Sequence, residues 1–186
     1  MLYGTIFGDM AGSTYEWHPV KNKKFETFPI KSHFTDDTVM TLAVASWLSS
    51  TDRTSDALVK SMQYFGSLYP HAGYGRNFYN WLRDEDPQPY YSWGNGSAMR
   101  VSPCAWVAQS LEEAEELAKQ SAEVTHNHPE GIKGAQSVAA AIFMARNGVS
   151  KEDIKTYITE KYNYNLDRTV DEIKKFLIVK KTVKWG

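Results

Sequence analysis

Apolar residues recur at helical spacing along most of this chain, and no segment alternates apolar and polar residues as a β-strand does. The clearest case is residues 36–49, where Val39, Met40, Ala43 and Trp47 follow the period of an α-helix. Further helices are predicted over residues 2–16, 54–67, 76–83, 103–109, 111–125, 129–146 and 150–162. The pattern therefore predicts an all-α fold, built as one compact multi-helix domain.

The size, charge and cysteine content of the chain argue against several classes of protein. Its 186 residues fit one domain, and a formal net charge of -1 offers little attraction for nucleic acid or an anionic membrane. No apolar run approaches the roughly 20 residues of a membrane span, and the N-terminus lacks the basic region of a signal peptide. Cys104 is the single cysteine, which suits a reducing compartment. We therefore expect a cytoplasmic protein that binds neither nucleic acid nor membrane.

Two adjacent aspartates, Asp36 and Asp37, stand where the clearest helix begins. Thr35 before them can cap that helix, and the helix dipole would stabilise both carboxylates in the first turn. Alternatively, these carboxylates and hydroxyls are oxygen ligands of the kind that Mg²⁺, Mn²⁺ or Ca²⁺ prefers. The local pattern favours the cap. Both roles are compatible, because a capped helix start also fixes the positions of the carboxylates.

The first predicted helix combines a glycine face with two acidic residues. Gly4, Gly8 and Gly12 recur every four residues, which suggests a close neighbour on that face, either another helix or a ligand. Asp9 and Glu16 are seven residues apart, which is about 10.5 Å along a helix axis. They form either a solvated acidic stripe, the commoner outcome, or partly buried carboxylates that need a partner or an altered pKa.

A long segment over residues 69–97 is rich in Gly, Pro, Asn and Tyr. A connection of this length inside a compact domain is usually functional. At its end, Asn95-Gly96-Ser97 can present backbone N–H groups and a hydroxyl to a phosphate or a ribose, and Arg100 could add positive charge.

Two histidines, His126 and His128, lie just before a predicted helix. A His-x-His pair permits a zinc interpretation. The single thiol and the lack of an HExxH motif instead favour a turn in which the histidines form local hydrogen bonds. The glycine-rich fingerprints of a dinucleotide site or a P-loop are absent from the sequence.

Four segments, taken in order, carry a resemblance to a known family. They are GDMAGSTYE (8–16), FTDDTVM (34–40), GNGSAMR (94–100) and THNHPEGIKGA (125–135), with HAGYGRNF (71–78) in support. Together they resemble the ADP-ribosylglycohydrolase family over about residues 2–173. The resemblance implies an all-α domain with two bound Mg²⁺ or Mn²⁺ ions. It also implies hydrolysis of the N- or O-glycosidic bond between ADP-ribose and a modified side chain or related acceptor.

The resemblance also implies roles for particular residues. Thr35, Asp36 and Asp37 match the family's N-terminal metal ligands, and Asp9 matches an acidic position near the metals. Glu16 matches a carboxylate proposed to act as acid/base or to hold the attacking water, so the expected catalytic residues are Glu16, Asp36 and Asp9. The expected substrate-binding residues are Gly73, Tyr74, Asn95, Gly96, Ser97, Met99 and His126.

The sequence departs from the family at its C-terminal end. The late Gly-Asp-(Ser/Thr)-Asp-(Thr/Ser) motif, whose acids complete the family's two-metal site, has no match here. Residues 1–173 are thus expected to form an incomplete family domain. Residues 174–186, with five lysines and no acid, form a divergent tail that we hypothesise was read from a shifted frame or otherwise replaced. A truncated domain would expose apolar surface, which favours a homodimer.

Two functions follow from this comparison of motifs. The first is a Mg²⁺-dependent hydrolase of ADP-ribosylated substrates, impaired by loss of the second acidic motif. The alternative is a catalytically inactive remnant that binds ADP-ribose or a nucleotide, or an interaction domain that keeps only the helical scaffold. Metal-dependent binding and turnover distinguish the two.

Overall fold

The computed structural model describes residues 2–20 and 24–173. Its helices are α1 (Leu2–Ser13), α2 (Asp36–Ser49), α3 (Ser55–Leu68), α4 (Arg76–Trp81), α5 (Gly96–Met99), α6 (Ser102–Val107), α7 (Leu111–Glu123), α8 (Pro129–Arg146) and α9 (Lys151–Tyr162). Residues 170–173 are also helical, and the described ranges contain no strand, so the all-α prediction is confirmed. Within these ranges no helix is both long and apolar enough to cross a bilayer. The predicted tail, residues 174–186, lies outside the described residues.

Side-chain caps explain where most of the longer helices begin. The hydroxyls of Thr35, Thr54, Ser110 and Ser150 accept backbone N–H groups from the first turns of α2, α3, α7 and α9. Pro129 opens α8, where its fixed φ suits the first helical position and its missing N–H removes no hydrogen bond. These signals are local in sequence, so the predicted starts of these helices agree closely with the structure.

The hydrophobic core forms around α2. Its residues Val39, Met40, Val44, Trp47 and Leu48 are almost completely buried. The helix packs against α3 and α6, while α7 and α8 pack extensively against each other. This burial fixes the N-terminus of α2 within the fold, and with it the aspartate pair of its first turn.

The first helix is shorter and more exposed than the sequence predicts. It ends at Ser13 rather than at residue 16, and within α1 only Ser13 is buried. A Cβ atom added at Gly4, Gly8 or Gly12 would meet no atom of the described structure within 4 Å. The prediction that another helix packs closely on the glycine face is therefore wrong for the part of the chain that the structure describes, and a ligand on that face stays a prediction.

Large apolar side chains cluster on and beside α1 and are exposed to solvent. Tyr3 and Phe7 of α1 are 75% and 55% exposed, and their rings stack at a centroid distance of 6.5 Å. Phe28 meets the Phe7 ring edge-on at a centroid distance of 6.2 Å. Further exposed apolar residues in the same N-terminal part of the chain are Trp17, Val20, Phe25, Ile30 and Phe34. We call this set, with Tyr3, Phe7 and Phe28, the α1 face. Exposed apolar clusters are typical of interaction sites.

Two short helices differ from their predicted bounds, and a third was not predicted. The helix predicted over 76–83 is α4 (Arg76–Trp81), and that predicted over 103–109 is α6 (Ser102–Val107). The sequence predicts only a turn and a ligand-binding loop around residues 94–99, where the structure has the short helix α5. Contacts of α5 with α8 and α2 stabilise it, and these contacts are distant in sequence.

Candidate active site

The carboxylate of Asp9 joins α1 to the start of α2. It accepts hydrogen bonds from the backbone N–H and the hydroxyl of Thr35, both at 2.7 Å. It also accepts the backbone N–H of Thr38 at 3.2 Å and the Thr38 hydroxyl at 2.5 Å. An anion at a helix N-terminus is stabilised by the unpaired N–H groups there. Because both oxygens of Asp9 are engaged by α2, this geometry supports a positioning role for the residue.

The two aspartates of α2 are partly buried beside other carboxylates. Burial raises the pKa of Asp36 to about 6, and the charges of Asp37, Glu16 and Asp9 act in the same direction. Burial and the charge of Asp9 also raise the pKa of Asp37, against a hydrogen bond from Thr35. No lysine or arginine of the described ranges forms an ion pair with either residue. The site therefore concentrates negative charge that a cation would stabilise.

Glu16 belongs to this acidic group, although it does not lie on one helix with Asp9 as their seven-residue spacing predicted. Because α1 ends at Ser13, Glu16 and Asp9 do not share a helix face. Glu16 lies just beyond the helix and is exposed, and it still contributes to the raised pKa of both Asp36 and Asp37. It is thus a carboxylate open to solvent next to a partly buried pair.

The loop before α4 closes against Asp36. The backbone N–H of Asp36 donates to the carbonyl of Ala72 at 2.8 Å. Gly73 follows with φ of +101°, and a Cβ placed there would lie 3.8 Å from the Asp36 carboxylate. The ring of Tyr74 packs against Phe78 at a centroid distance of 5.8 Å, and burial and the charge of Asp36 raise the pKa of its phenol to about 12. The predicted residues Gly73 and Tyr74 therefore lie in the loop beside Asp36 and do not line the cavity described next.

A cavity of about 350 Å³ opens beside this acidic group. It brings Asp36 together with four of the predicted substrate-binding residues, namely Asn95, Gly96, Met99 and His126. Segments distant in sequence meet there: the start of α2, the loop and helix around α5, and the turn between α7 and α8. A mainly apolar cavity with a few convergent polar groups is typical of a small-molecule site.

The remaining predicted residue, Ser97, lies outside the cavity. It is buried, and its hydroxyl donates to the carbonyl of Gly131 in α8 at 2.8 Å. From the other side, the Thr41 hydroxyl of α2 lies 3.4 Å from the carbonyl of Met99. These contacts hold α5 between α8 and α2. Ser97 is therefore an anchor for the cavity wall, and the prediction that it contacts the ligand directly has no support in this geometry.

Several residues that line the cavity were not predicted individually, although five of them lie within the motifs 71–78 and 94–100. These are Gly75, Arg76, Asn77, Phe78, Tyr90, Ser92 and Gly94. All lie in the segment 69–97, which was predicted to be functional as a whole. Its length and composition pointed to the segment, but nothing in the local pattern showed which of its side chains turn towards Asp36.

The oxygen-rich start of α2 has the chemistry of a site for a hard cation. Asp36 and Asp37 supply carboxylates and Thr35 a hydroxyl, which are ligands that Mg²⁺ favours. Among the described residues, however, no three His, Cys, Asp or Glu side chains form one metal-binding cluster. The donors present fit the cation chemically and amount to part of a ligand set.

Comparison with known proteins decides the family. The family model of ADP-ribosylglycohydrolase matches residues 1–182 of this chain. The chain belongs to the ADP-ribosylglycohydrolase family. The match continues past residue 173, so the predicted division between the family domain and the tail stays a prediction.

Curated relatives resemble the chain at modest identity. ADP-ribosylhydrolase ARH3 from Mus musculus is 27% identical over 185 residues, covering 82% of this chain and 50% of the relative. ADP-ribosylhydrolase ARH3 from Homo sapiens is 25% identical with the same coverage of both chains. ADP-ribosylarginine hydrolase Tri1 from Pseudomonas putida (strain GB-1) is 28% identical over 178 residues, covering 82% of this chain and 47% of the relative. The chain spans about half the length of the curated relatives it matches.

Proposed function

We propose that the cavity binds an ADP-ribosylated substrate and that the acidic group beside it promotes hydrolysis of the glycosidic bond to ADP-ribose. The observation that carries this proposal is the meeting of Asp36 with Asn95, Gly96, Met99 and His126 around one cavity. Family membership supports the same substrate class. One of the relatives is an ADP-ribosylarginine hydrolase, so ADP-ribosylarginine is the first acceptor to test.

We propose that Asp36, Asp37 and Thr35 hold Mg²⁺, or Mn²⁺, at the start of α2. When bound, such a cation would orient ribose hydroxyls and lower the pKa of a water molecule. The raised pKa values of Asp36 and Asp37 support the proposal, because they mark carboxylates for which the described ranges supply no compensating charge. The incomplete ligand set supports weak binding, and hence impaired activity.

Among the chain's own residues, Glu16 is the best candidate for moving protons. Its exposed carboxylate lies close enough to Asp36 and Asp37 for its charge to raise the pKa of both, which supports a role beside the cavity. A glycosidic bond breaks when its oxygen or nitrogen gains a proton while water attacks the sugar carbon. In this proposal Asp9 positions Thr35 and Asp36 and moves no proton, since four donors from α2 already occupy its oxygens.

A second candidate function is binding of ADP-ribose without turnover. It is favoured by the lack of a three-residue metal cluster in the described part of the chain. Most residues that line the cavity, including Gly96, Met99 and His126, lie outside the acidic group, so the cavity could retain a ligand when catalysis is lost.

A turnover assay combined with calorimetry separates the two functions. The chain is incubated with peptides carrying ADP-ribosylated arginine or serine, with and without Mg²⁺, and ADP-ribose release is followed. Release that needs Mg²⁺ and is lost in Glu16→Gln supports the hydrolase. Binding of ADP-ribose without release supports the inactive remnant, while neither binding nor release contradicts the site itself.

We also propose that two copies of the chain associate through the α1 face. The exposed rings of Tyr3, Phe7 and Phe28 support this, because burying apolar area drives association. A reducing cytoplasm remains the proposed location, supported by one buried free cysteine, Cys104.

A further inference from the structure

A buried arginine, which the sequence predicted as a source of positive charge, forms part of the wall of the cavity. Arg100 follows α5 and is 1% exposed. Its guanidinium donates to the carbonyls of Gly96 at 3.2 Å and Ser121 at 2.6 Å, and to the Thr125 hydroxyl at 2.9 Å. No carboxylate of the described ranges pairs with it. A buried cation held by neutral groups is costly, so its contacts need a reason beyond stability.

Those contacts determine the direction of a second hydrogen bond. The Thr125 hydroxyl lies 2.8 Å from Nδ1 of His126. Arginine is only a donor, so the Thr125 oxygen accepts from Arg100 and its own hydrogen needs another acceptor. Within the described structure, Nδ1 of His126 is the acceptor in reach. A bare Nδ1 leaves the single ring proton of neutral histidine on Nε2.

The Nε2 edge of the His126 ring lies beside two glycines that line the cavity. A Cβ built on Gly96 would lie 3.0 Å from Nε2 of His126, and one built on Gly94 would lie 3.8 Å from it. Both glycines and His126 line the cavity. The closeness also explains the glycine at position 96, because any larger side chain would press on the ring.

We propose that Arg100 and Thr125 are positioning residues that hold His126 as the Nε2–H tautomer, a neutral donor aimed at a ligand oxygen in the cavity. This rests on the proposed function for the identity of the ligand, an ADP-ribose-containing molecule. The opposite tautomer would place two donors on the Thr125 oxygen and leave its hydroxyl hydrogen without a described acceptor, which is unfavourable in a buried site.

The charge state of the ring agrees with this arrangement. Burial, and then the charge of Arg100, lowers the pKa of His126 to about 4. The His126 ring is therefore neutral at physiological pH. Its tautomer decides whether Nε2 presents an N–H donor or an acceptor lone pair to the cavity.

The experiment is a long-range ¹H–¹⁵N spectrum of the histidine rings in the intact chain, with His126 assigned by loss of its signals in His126→Gln. Wild type and Thr125→Ser, which keeps the hydroxyl, are expected to show a bare Nδ1 and a protonated Nε2. Thr125→Val removes the hydroxyl at nearly constant shape and is expected to give a mixture of tautomers. A protonated Nδ1 in wild type overturns the proposal even if Thr125→Val fails to fold, and so does an unchanged tautomer in Thr125→Val.

Calorimetry with ADP-ribose tests the consequence for binding. We expect Thr125→Val to weaken binding about two- to fivefold, since a tautomer mixture leaves about a fifth to a half of the rings as the Nε2–H donor, and Thr125→Ser to bind as wild type. Unchanged affinity in a Thr125→Val protein whose tautomer has changed would overturn the positioning role. If wild type binds no ADP-ribose, the proposed function fails, whereas the spectrum still decides whether Arg100 and Thr125 fix the tautomer.

Discussion

Asp36 and Asp37 are held by the fold in a position that raises the free energy of their ionised forms. Burial is the main reason, and the neighbouring carboxylates add to it. The ordinary pKa of an aspartate in an unfolded chain is about 3.9. Between that value and about 6, the folded state binds more protons than the unfolded state at Asp36. The stability from protonated Asp36 is therefore lost as pH rises through this window.

Replacing Asp36 by asparagine should therefore stabilise the metal-free protein at neutral pH. We expect Asp36→Asn to raise the free energy of unfolding by about 1–2 kcal/mol at pH 7.5, after allowing for partial exposure of the group. The gain should vanish near pH 4, where Asp36 of the wild type is itself protonated. Urea denaturation at both pH values, in the presence of a chelator, measures the difference.

A matched control is Asp86→Asn, which changes an exposed aspartate whose charge does not contribute to the raised pKa of Asp36 or Asp37. It should leave stability within about 0.5 kcal/mol of wild type at both pH values. A neutral-pH stability of Asp36→Asn below that of wild type would show that Asp36 is compensated in the folded chain and would contradict this account.

Gly73 tests how the neighbouring loop supports Asp36. Its φ of +101° is unfavourable for any L-residue, so Gly73→Ala should cost about 1–2 kcal/mol of stability. Gly148→Ala, at φ of +80° after α8, should cost a similar amount. Only Gly73→Ala should also weaken binding of Mg²⁺, which calorimetry can measure. Equal Mg²⁺ affinity in the two variants would show that the loop containing Gly73 does not support the acidic group and would contradict this prediction.

At the scale of elements, the start of α2 is the structural centre of the site. Asp9→Ala removes four hydrogen bonds between α1 and the first turn of α2. It should cost about 2–4 kcal/mol, because the donors of Thr35 and Thr38 lose their partner in a partly buried place. Glu16→Ala, which removes an exposed carboxylate, should leave stability unchanged or slightly higher. Guanidinium denaturation measures the stability of both variants. A loss of less than about 1 kcal/mol in Asp9→Ala would contradict the role of Asp9 in joining α1 to α2.

Elements whose start signals are local could be predicted from the sequence. Thr35 and Pro129 mark the starts of α2 and α8, and both lie where the sequence places them. The short helix α5 was not predicted, since contacts with α8 and α2 stabilise it. The glycine face of α1 misled the prediction for the same reason, because spacing shows which residues share a face but not what covers that face.

The candidate site, too, was predictable only where its signals are local in sequence. The motifs identified Asp36, Asn95, Gly96, Met99 and His126, and the structure brings all of them to one cavity. Directions of side chains were not predictable, because they depend on contacts distant in sequence. Ser97 turns into the core to bond α8, and the side chains of segment 69–97 that turn inwards follow no local rule.

At the scale of the whole molecule, the α1 face predicts self-association. We expect wild type to sediment as a dimer at tens of micromolar concentration, and the double variant Phe7→Glu with Phe28→Glu to sediment as a monomer, because charges on an apolar contact oppose its burial. Tyr64→Glu, at an exposed ring on α3, serves as the control and should remain dimeric. A monomeric wild type would contradict this association.

The central claim is that the cavity between α2, α5 and His126 binds ADP-ribose, and one calorimetric comparison tests it most directly. Gly96→Ala places a Cβ about 2.9 Å from Cε1 of His126, too close for the wall to keep its shape, whereas Gly134→Ala on α8 meets only an ordinary contact at 4.0 Å. In buffer with Mg²⁺, wild type and Gly134→Ala should bind ADP-ribose with equal affinity. Gly96→Ala should bind at least about tenfold more weakly, a loss of about 1.4 kcal/mol. Wild-type affinity in Gly96→Ala, or no binding by wild type, would contradict the account.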